Sequence, residues 1–309
     1  MILTITLNAS IDKRYVVAAA REGEVNRVIE CAYTPGGKGL NVASAAALAG
    51  AKVMAAGLVG GYTGKYIEAE LDKRGINNRF YHLDKESRSC VNIWDKEKGI
   101  QTEYLEPGFE VTQAEFETFM EQLNPLVDQA DVITVSGSIP GGLDGTAYKR
   151  IIYMVKAKNK KVILDTSGEL LCQGIEAKPT LIKPNIDEIK MITGTNCDTK
   201  EELFAAAIRL YQSGVAIVVI SLGAKGSVVV CGEGIYQARV PVIKAVNTVG
   251  CGDAMVAGLA AGLERQYDMV KTIKFASAIS AASALREETG FFVKEDMESL
   301  LAKIKIIKL

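Results

Sequence analysis

The hydrophobic positions of this chain follow two alternating rhythms. Short, nearly continuous apolar runs end in polar or glycine residues: MILTITLN, KVMAAGLVG, DVITVSGS, KVILDTSG, TLIKPN and AIVVISLG. Such runs are expected of strands buried on both faces. Between some of them, apolar residues recur at helical spacing. GLNVASAAALAGA places small residues on its packing face, TGKYIEAELDKRGI stops at Gly75, and TAYKRIIYMVKAKNK and KEELFAAAIRLYQSG follow the same period. Strands alternating with helices predict an α/β fold, a doubly wound and mainly parallel central sheet with helices on both faces.

Two segments break the rhythm. DKRYVVAAAREGEVNRVIECAYT and SRSCVNIWDKEKGIQTEYLEPG read as alternating strands with turns. They predict a small β-sheet lid over the main domain, inserted from about 12–34 and 87–108. GSVVVCGEGIYQARVPV reads as a hairpin turning at CGEG, and the terminal KIKIIKL as a short helix or strand end. With no repeat, low-complexity tract or linker, residues 1–309 are expected to form a single domain. In open parallel sheets ligands sit outside the carboxyl ends of the strands. The polar endings therefore mark a cleft: Asn8 and Asp12, Ser136 to Ser138, Asp165, Lys183 to Asn185, and Ser221 to Gly226.

Composition narrows the function. Of 309 residues 48% are hydrophobic, enough for a sizeable core, and the net charge of -1 argues against a binder of nucleic-acid backbones. No apolar run approaches the ~18 residues of a spanning helix. MILTITLNAS lacks the basic region and cleavage site of a signal peptide, so a cytoplasmic protein is expected. Six scattered cysteines (Cys31, Cys90, Cys172, Cys197, Cys231, Cys251) form no CxxC and are expected to be reduced, which argues against a zinc site. The single histidine, His82, sits at what reads as a strand end and makes a Ser-His or Cys-His mechanism a poor fit. No GxGxxG follows the first strand, so a nicotinamide dehydrogenase lacks its phosphate fingerprint.

Four motifs remain. In NTVGCGDAMVAG, Gly250 and Gly252 let the backbone turn and present amides at the start of a helix, an anion site with Asp253 beside it. On this stretch alone, Asp253 could equally be a helix cap. TPGGKGLN surrounds Lys38 with glycines, again before a helix, and is not a Walker A loop. SLGAKG ends a buried strand in a small-residue turn suited to close approach by a ligand. In KPNIDE, Asn185 and Glu188 share a helix face and suit a water-coated magnesium, or else simply begin a helix after Pro184.

Together TPGGKGLN and NTVGCGDAMVAG resemble the two signatures of the ribokinase-like (PfkB) carbohydrate kinases, with TITLNASID, GEVNRV, KPN and SLGAKG in the family's order. Within it, TITLNASID with GEVNRV is most similar to the 1-phosphofructokinase and tagatose-6-phosphate kinase branch. The resemblance implies transfer of a phosphoryl group from ATP, with Mg2+, to a hydroxyl of fructose 1-phosphate or tagatose 6-phosphate. It implies Asp253 as base and Gly250, Cys251 and Gly252 as a backbone anion hole. Asp12, Gly37, Lys38 and Asn41 match sugar-contacting positions, and Arg88 is expected to grip the substrate's phosphate, with Arg27 as helper. Ser138, a polar strand ending, joins the substrate side. Lys183, Asn185, Ser221, Gly223 and Gly226 match the nucleotide side and Glu188 the metal region. A kinase of an unphosphorylated sugar or nucleoside, and a non-catalytic sugar-sensing relative, are the alternatives.

Four expectations follow. Asp253 should titrate as an ordinary carboxyl near 4. Cys251 stands where the family usually has Ala, and a thiol at a helix N-terminus should be acidified and reactive. Ala9 stands where the branch usually has Pro, which loosens the substrate loop. Exposed lid edges, with the apolar YVVAAA of Tyr15 to Ala20, predict a homodimer paired lid to lid.

Overall fold

The computed structural model describes residues 1–309. The chain opens with β1 (Ile2–Thr6), β2 (Ser10–Val17) and β3 (Val28–Gly36), then α1 (Lys38–Leu48), β4 (Val53–Gly60), α2 (Gly61–Lys73) and β5 (Asn77–Leu83). β6 (Arg88–Asp95) and β7 (Ile100–Leu105) precede α3 (Gln113–Asp128), β8 (Val132–Ser136), α4 (Thr146–Ala157), β9 (Lys161–Asp165), α5 (Gly168–Glu176) and β10 (Leu181–Ile182). After α6 (Ile186–Thr193), α7 (Lys200–Gln212) and β11 (Ile217–Ser221), a hairpin is formed by β12 (Ser227–Cys231) and β13 (Gly234–Arg239). The chain ends with α8 (Cys251–Glu264), α9 (Met269–Ser283), α10 (Lys294–Lys303) and β14 (Lys305–Lys308).

Ten strands form the main sheet in the order β14-β13-β12-β11-β10-β9-β8-β1-β4-β5. From β11 to β5 every pairing is parallel; β12, β13 and β14 are added antiparallel at one edge. The predicted turn at CGEG joins β12 to β13 by pairing Cys231 with Gly234, and KIKIIKL supplies the edge strand β14. Alternate residues of each strand go to opposite faces, so Ile217 and Val219 enter one core while Val218 and Ile220 enter the other. The first core packs α1, α2, α8, α9 and α10 on one face and the second packs α3 to α7 on the other. Burial on both faces explains why the central strands read as unbroken apolar runs rather than as alternating ones.

A second sheet has the order β3-β2-β6-β7, with β2 and β6 parallel and the outer pairs antiparallel. Its inner strands β2 and β6 are mostly half-buried and its outer strands β3 and β7 largely exposed, so the sequence there mixes polar and apolar positions. The apolar stretch expected to pair copies is not its exposed face: Val16 and Val17 are buried. Large apolar side chains are exposed instead on the outer strands, Val28, Ile29 and Tyr33 of β3 and Ile100, Tyr104 and Leu105 of β7. No helix is long and apolar enough to cross a membrane.

Candidate active site

β1 has β4 on one side and β8 on the other, so the winding of the main sheet reverses there and leaves a crevice at the strands' carboxyl ends. The second sheet faces that crevice, and together they enclose a cleft of about 1030 Å³. That is room for a nucleotide and a small second ligand.

One wall is the start of α8. Gly250 caps this helix in the left-handed conformation with φ 80°, and a Cβ there would strike the methyl of Thr289. No side chain caps the helix. The Cys251 amide reaches Thr248 O at 3.3 Å, whereas the amides of Gly252 and Asp253 have no acceptor within the chain. The helix therefore presents unspent donors and the positive end of its dipole to the cleft. Gly252 also brings Lys183 close: a Cβ there would lie 3.2 Å from the lysine Nζ.

Asp253, in the first turn, is 5% exposed. It does not cap its own helix. Its Oδ2 accepts a 2.8 Å hydrogen bond from Asn41 Nδ2 of α1, which holds the carboxylate at the cleft floor. The expectation of an ordinary carboxyl is corrected here. Burial first, and the charge of Asp165 second, push Asp253 up to about 7, against the opposing pull of Lys38, Asn41 and Lys183.

Asp165, at the end of β9, is 1% exposed and sits between two ammonium groups. Lys38 Nζ is 3.5 Å away and Lys183 Nζ 3.3 Å. Burial would raise its carboxyl, but Lys183 and Lys38 prevail and hold it below the usual range. Burial would likewise lower Lys38, yet Asp165, Asp253 and Glu188 outweigh that and hold its ammonium above the ordinary value. Asp165 was visible in the sequence only as a polar strand ending; its pairing with lysines from α1 and from the end of β10 was not.

The opposite wall is the inner face of the second sheet. Asp12 stands in register with Thr34 on β3 and Cys90 on β6, and accepts from Ser10 Oγ at 2.7 Å. Burial raises its carboxyl despite Ser10 and Arg88. Arg88 donates through Nε to Asn8 O and through Nη1 to Glu106 O, both at 3.1 Å, so two backbone carbonyls aim the guanidinium. Gly37, Lys38, Asn41 and Arg88 all line the cleft.

Lys183, Asn185, Glu188, Ser221, Gly223 and Gly226 line another part of the same cleft. Asn185 and Glu188 form a reciprocal capping box at the start of α6. Asn185 N donates to Glu188 Oε2 and Glu188 N to Asn185 Oδ1, both at 2.8 Å. The helix-start reading of KPNIDE is thus satisfied, while both side chains still border the cleft. No group of three His, Cys, Asp or Glu side chains is gathered to hold a metal ion. Glu188 as a lone rim carboxylate fits a magnesium that keeps its waters and arrives with nucleotide phosphates rather than one held in a protein cage.

Further expectations are corrected. Ser138 does not line the cleft; it is exposed, and its Oγ accepts from Asn8 Nδ2 at 3.3 Å. Arg27 lies in the exposed connection between β2 and β3, at the far end of the second sheet from Asp12. The Cys251 thiol is not acidified. Burial, then the charge of Asp253, push it up to about 11. Sequence reasoning also missed Val240 to Ile243, Ala245, Ser277, Ser280 and the 287–289 segment, all at the cleft. Ser280 Oγ donates to Cys251 O at 2.9 Å and so braces the α8 turn from α9. The one legible signal was VPVIKA after the hairpin, apolar without period; Val242 is fully exposed.

Comparison with known proteins places this geometry in a family. The family model described as pfkB family carbohydrate kinase matches residues 5–296. Among solved structures, a Staphylococcus aureus protein described only provisionally as a phosphofructokinase is 29% identical, with a TM-score of 0.88 over 100% of this chain and 99% of its own. Phosphofructokinase-2 from Escherichia coli in complex with fructose-6-phosphate is 25% identical, with a TM-score of 0.89 and 98% of each chain covered. A Thermotoga maritima protein described as a possible 1-phosphofructokinase is 25% identical, with a TM-score of 0.90 over 100% of this chain and 99% of its own.

Proposed function

Since the chain belongs to the pfkB family of carbohydrate kinases, we propose that it transfers the γ-phosphoryl group of ATP to a hydroxyl of a ketohexose monophosphate. The observation that carries this reading is the placement of Asp253. A buried carboxylate, held by Asn41, stands in the first turn of a helix whose free amides open onto a cleft with cations on its other wall.

Phosphoryl transfer runs through a loose transition state, so alignment and charge stabilisation carry most of the catalysis. The substrate hydroxyl lies against Asp253, which orients it and accepts its proton as the bond to phosphorus forms. A carboxyl raised toward neutrality is a better-matched base than an ordinary one. The amides of Gly252 and Asp253, with Lys183 beside them, meet the negative charge on the transferred group, and because they are already fixed they need no reorganisation. Lys38 lines the same cleft, and Asp165 pairs with both it and Lys183. Glu188 would hold, through water, the magnesium that accompanies ATP, and the ion when bound supplies positive charge to the nucleotide phosphates.

At the sugar end, Asp12 and Asn41 offer hydroxyl partners, and Arg88 and Lys38 offer charge for a phosphate already on the substrate. The phosphofructokinase descriptions of the similar structures support a phosphorylated ketohexose. The second sheet serves as a lid that keeps water from Asp253. The exposed apolar side chains of β3 and β7 support a homodimer that covers the lid, in place of the Tyr15 to Ala20 stretch. The test is a screen of ADP release with Mg-ATP against fructose 1-phosphate, fructose 6-phosphate, tagatose 6-phosphate, free hexoses, ribose and nucleosides. Turnover confined to the ketohexose phosphates is expected. Preferential use of an unphosphorylated acceptor would overturn the reading.

A further inference from the structure

Arg14 and Glu287 bridge the cleft mouth. Arg14, on the inner face of β2, has Nη1 2.9 Å from Oε2 of Glu287 in the segment after α9. The two residues belong to the two walls that phosphoryl transfer must bring together, and the Glu287 end of the bridge is braced.

On the second sheet, Arg14 stands in register with Ala32 and Asn92, and Asn92 with Glu103. Asn92 Nδ2 donates to Glu103 Oε1 at 3.0 Å, and Gln101 Nε2 to the same oxygen at 3.2 Å. Asn92 and Gln101 thus share one oxygen of Glu103, and Arg14 pairs across the cleft mouth with Glu287 instead.

On the other wall, Glu287 O accepts from Asn247 Nδ2 at 2.9 Å, and Asn247 Oδ1 accepts from Val249 N at 3.0 Å. Two residues beyond Glu287, Thr289 packs on Gly250. Glu288 is held to the body of the protein by Arg74 Nη2 at 3.2 Å. The 287–289 segment is thus the backing of the 247–250 loop that sets the free amides of α8, and Arg14 is the second sheet's grip on that backing.

We propose that Arg14 and Glu287 act as a positioning pair, coupling closure of the sugar-side sheet to ordering of the 247–250 loop. The inference rests on the kinase reading: the amide loop takes its working shape when the sugar wall is closed, so an ATP bound without a sugar meets a looser loop. The pair touches neither reacting atom and acts through Asn247 and Thr289.

The test is a double-mutant cycle of Arg14→Gln and Glu287→Gln, with the charge swap Arg14→Glu/Glu287→Arg. The first readout is amide hydrogen exchange over residues 10–17 and 247–250 in the protein without substrates. The second is the ratio of ATP hydrolysis without sugar to phosphoryl transfer with it. Each single variant is expected to speed exchange in both segments by about two- to fivefold, the scale of a partly exposed ion pair. Each is also expected to raise the hydrolysis ratio. The double variant should be no worse than either single, and the swap should restore both readouts. If the swapped chain does not fold, the glutamine cycle decides by itself. Additive single effects would overturn the proposal. So would a higher sugar-phosphate KM in Arg14→Gln with Glu287→Gln silent, which would make Arg14 a substrate contact. A parent protein that turns over no ketohexose phosphate sinks the kinase reading instead, while the exchange measurement, needing no substrate, still judges the pair.

Discussion

The two walls of the cleft solve recognition by different means. The α8 wall offers backbone: amides freed by a left-handed Gly250, with side chains excluded where Thr289 and Lys183 crowd the glycines. The second-sheet wall offers side chains, Asp12, Arg14 and Arg88 on half-buried strands and Glu103 on an exposed one. A transferred phosphoryl group is common to every kinase reaction and can be met by fixed dipoles. An acceptor sugar varies and must be read by groups that can change without disturbing the fold. On the proposed kinase reading, turnover falls to the first wall and selectivity to the second.

The sharpest attempt to break that division is Asp253→Asn. The amide keeps the shape and the Asn41 contact but cannot take a proton. With ~10²–10⁴-fold typical of a general base, kcat should fall by that order while the KM values stay within a few-fold. The same change should stabilise the protein above neutral pH. The wild-type carboxyl is raised in the folded state, so as pH climbs from the unfolded value near 4 to about 7 the unfolded chain ionises first and stability is lost. Asparagine carries no such loss. A melting temperature for the variant at or below wild type at pH 8 would contradict the buried, raised carboxyl.

Arg88→Ala probes the other wall. Losing a charge-assisted contact to a substrate phosphate costs about 1.5–3 kcal/mol, or about ten- to a hundredfold in KM for the phosphosugar, with the KM for ATP unchanged. An equal fall in kcat with no change in KM would place Arg88 on the wrong wall.

The fold was more legible than the site, for a physical reason. Burial on both faces writes itself into a strand as an unbroken apolar run, and MILTITLN, DVITVSGS and AIVVISLG became β1, β8 and β11 at the centre of the sheet. Gly250 of NTVGCGDAMVAG was legible because left-handed backbone restricts the choice of residue. What could not be read was contact between distant side chains. Asp165, Lys38 and Lys183 are far apart in sequence and give no local pattern, and the Asn247–Glu287 brace joins a loop to a later turn. Ser138 and Arg27 failed for the opposite reason: a polar strand ending and a basic turn look alike whether they face the cleft or solvent.

Asp165 pairs with both Lys38 and Lys183, and its replacement gives a smaller effect on rate but a directional one. Its charge is the second cause, after burial, of the raised Asp253 carboxyl. In Asp165→Asn that repulsion disappears and the two lysines no longer share their charge with a neighbour, so both changes favour ionised Asp253. The acid limb of kcat/KM, which reports the free enzyme, should move to lower pH. The variant should also melt lower, since removing one partner from a buried ion pair strands the other. Instability alone would not move the limb, so an acid limb left in place would show that Asp165 holds the lysines without tuning the base.

The smallest effect is predicted at Cys251, where the wall made of backbone should ignore its side chain. The residue supplies α8 with its first helical position, its amide turned toward Thr248 and its carbonyl braced by Ser280. Neither contact involves sulfur. The thiol is half-buried and its only hydrogen-bond partner is Asn247 O at 3.8 Å. Because burial and Asp253 push it up to about 11, almost no thiolate exists near neutral pH, and alkylation should be slow compared with a free cysteine. Cys251→Ala should therefore keep kcat and both KM values within about twofold, the ~0.5 kcal/mol scale of substitutions that break no specific interaction. Rapid labelling of Cys251 at pH 7, or a tenfold loss on the change to alanine, would mean that the helix end acidifies the thiol after all and that the amide wall depends on the side chain it displays.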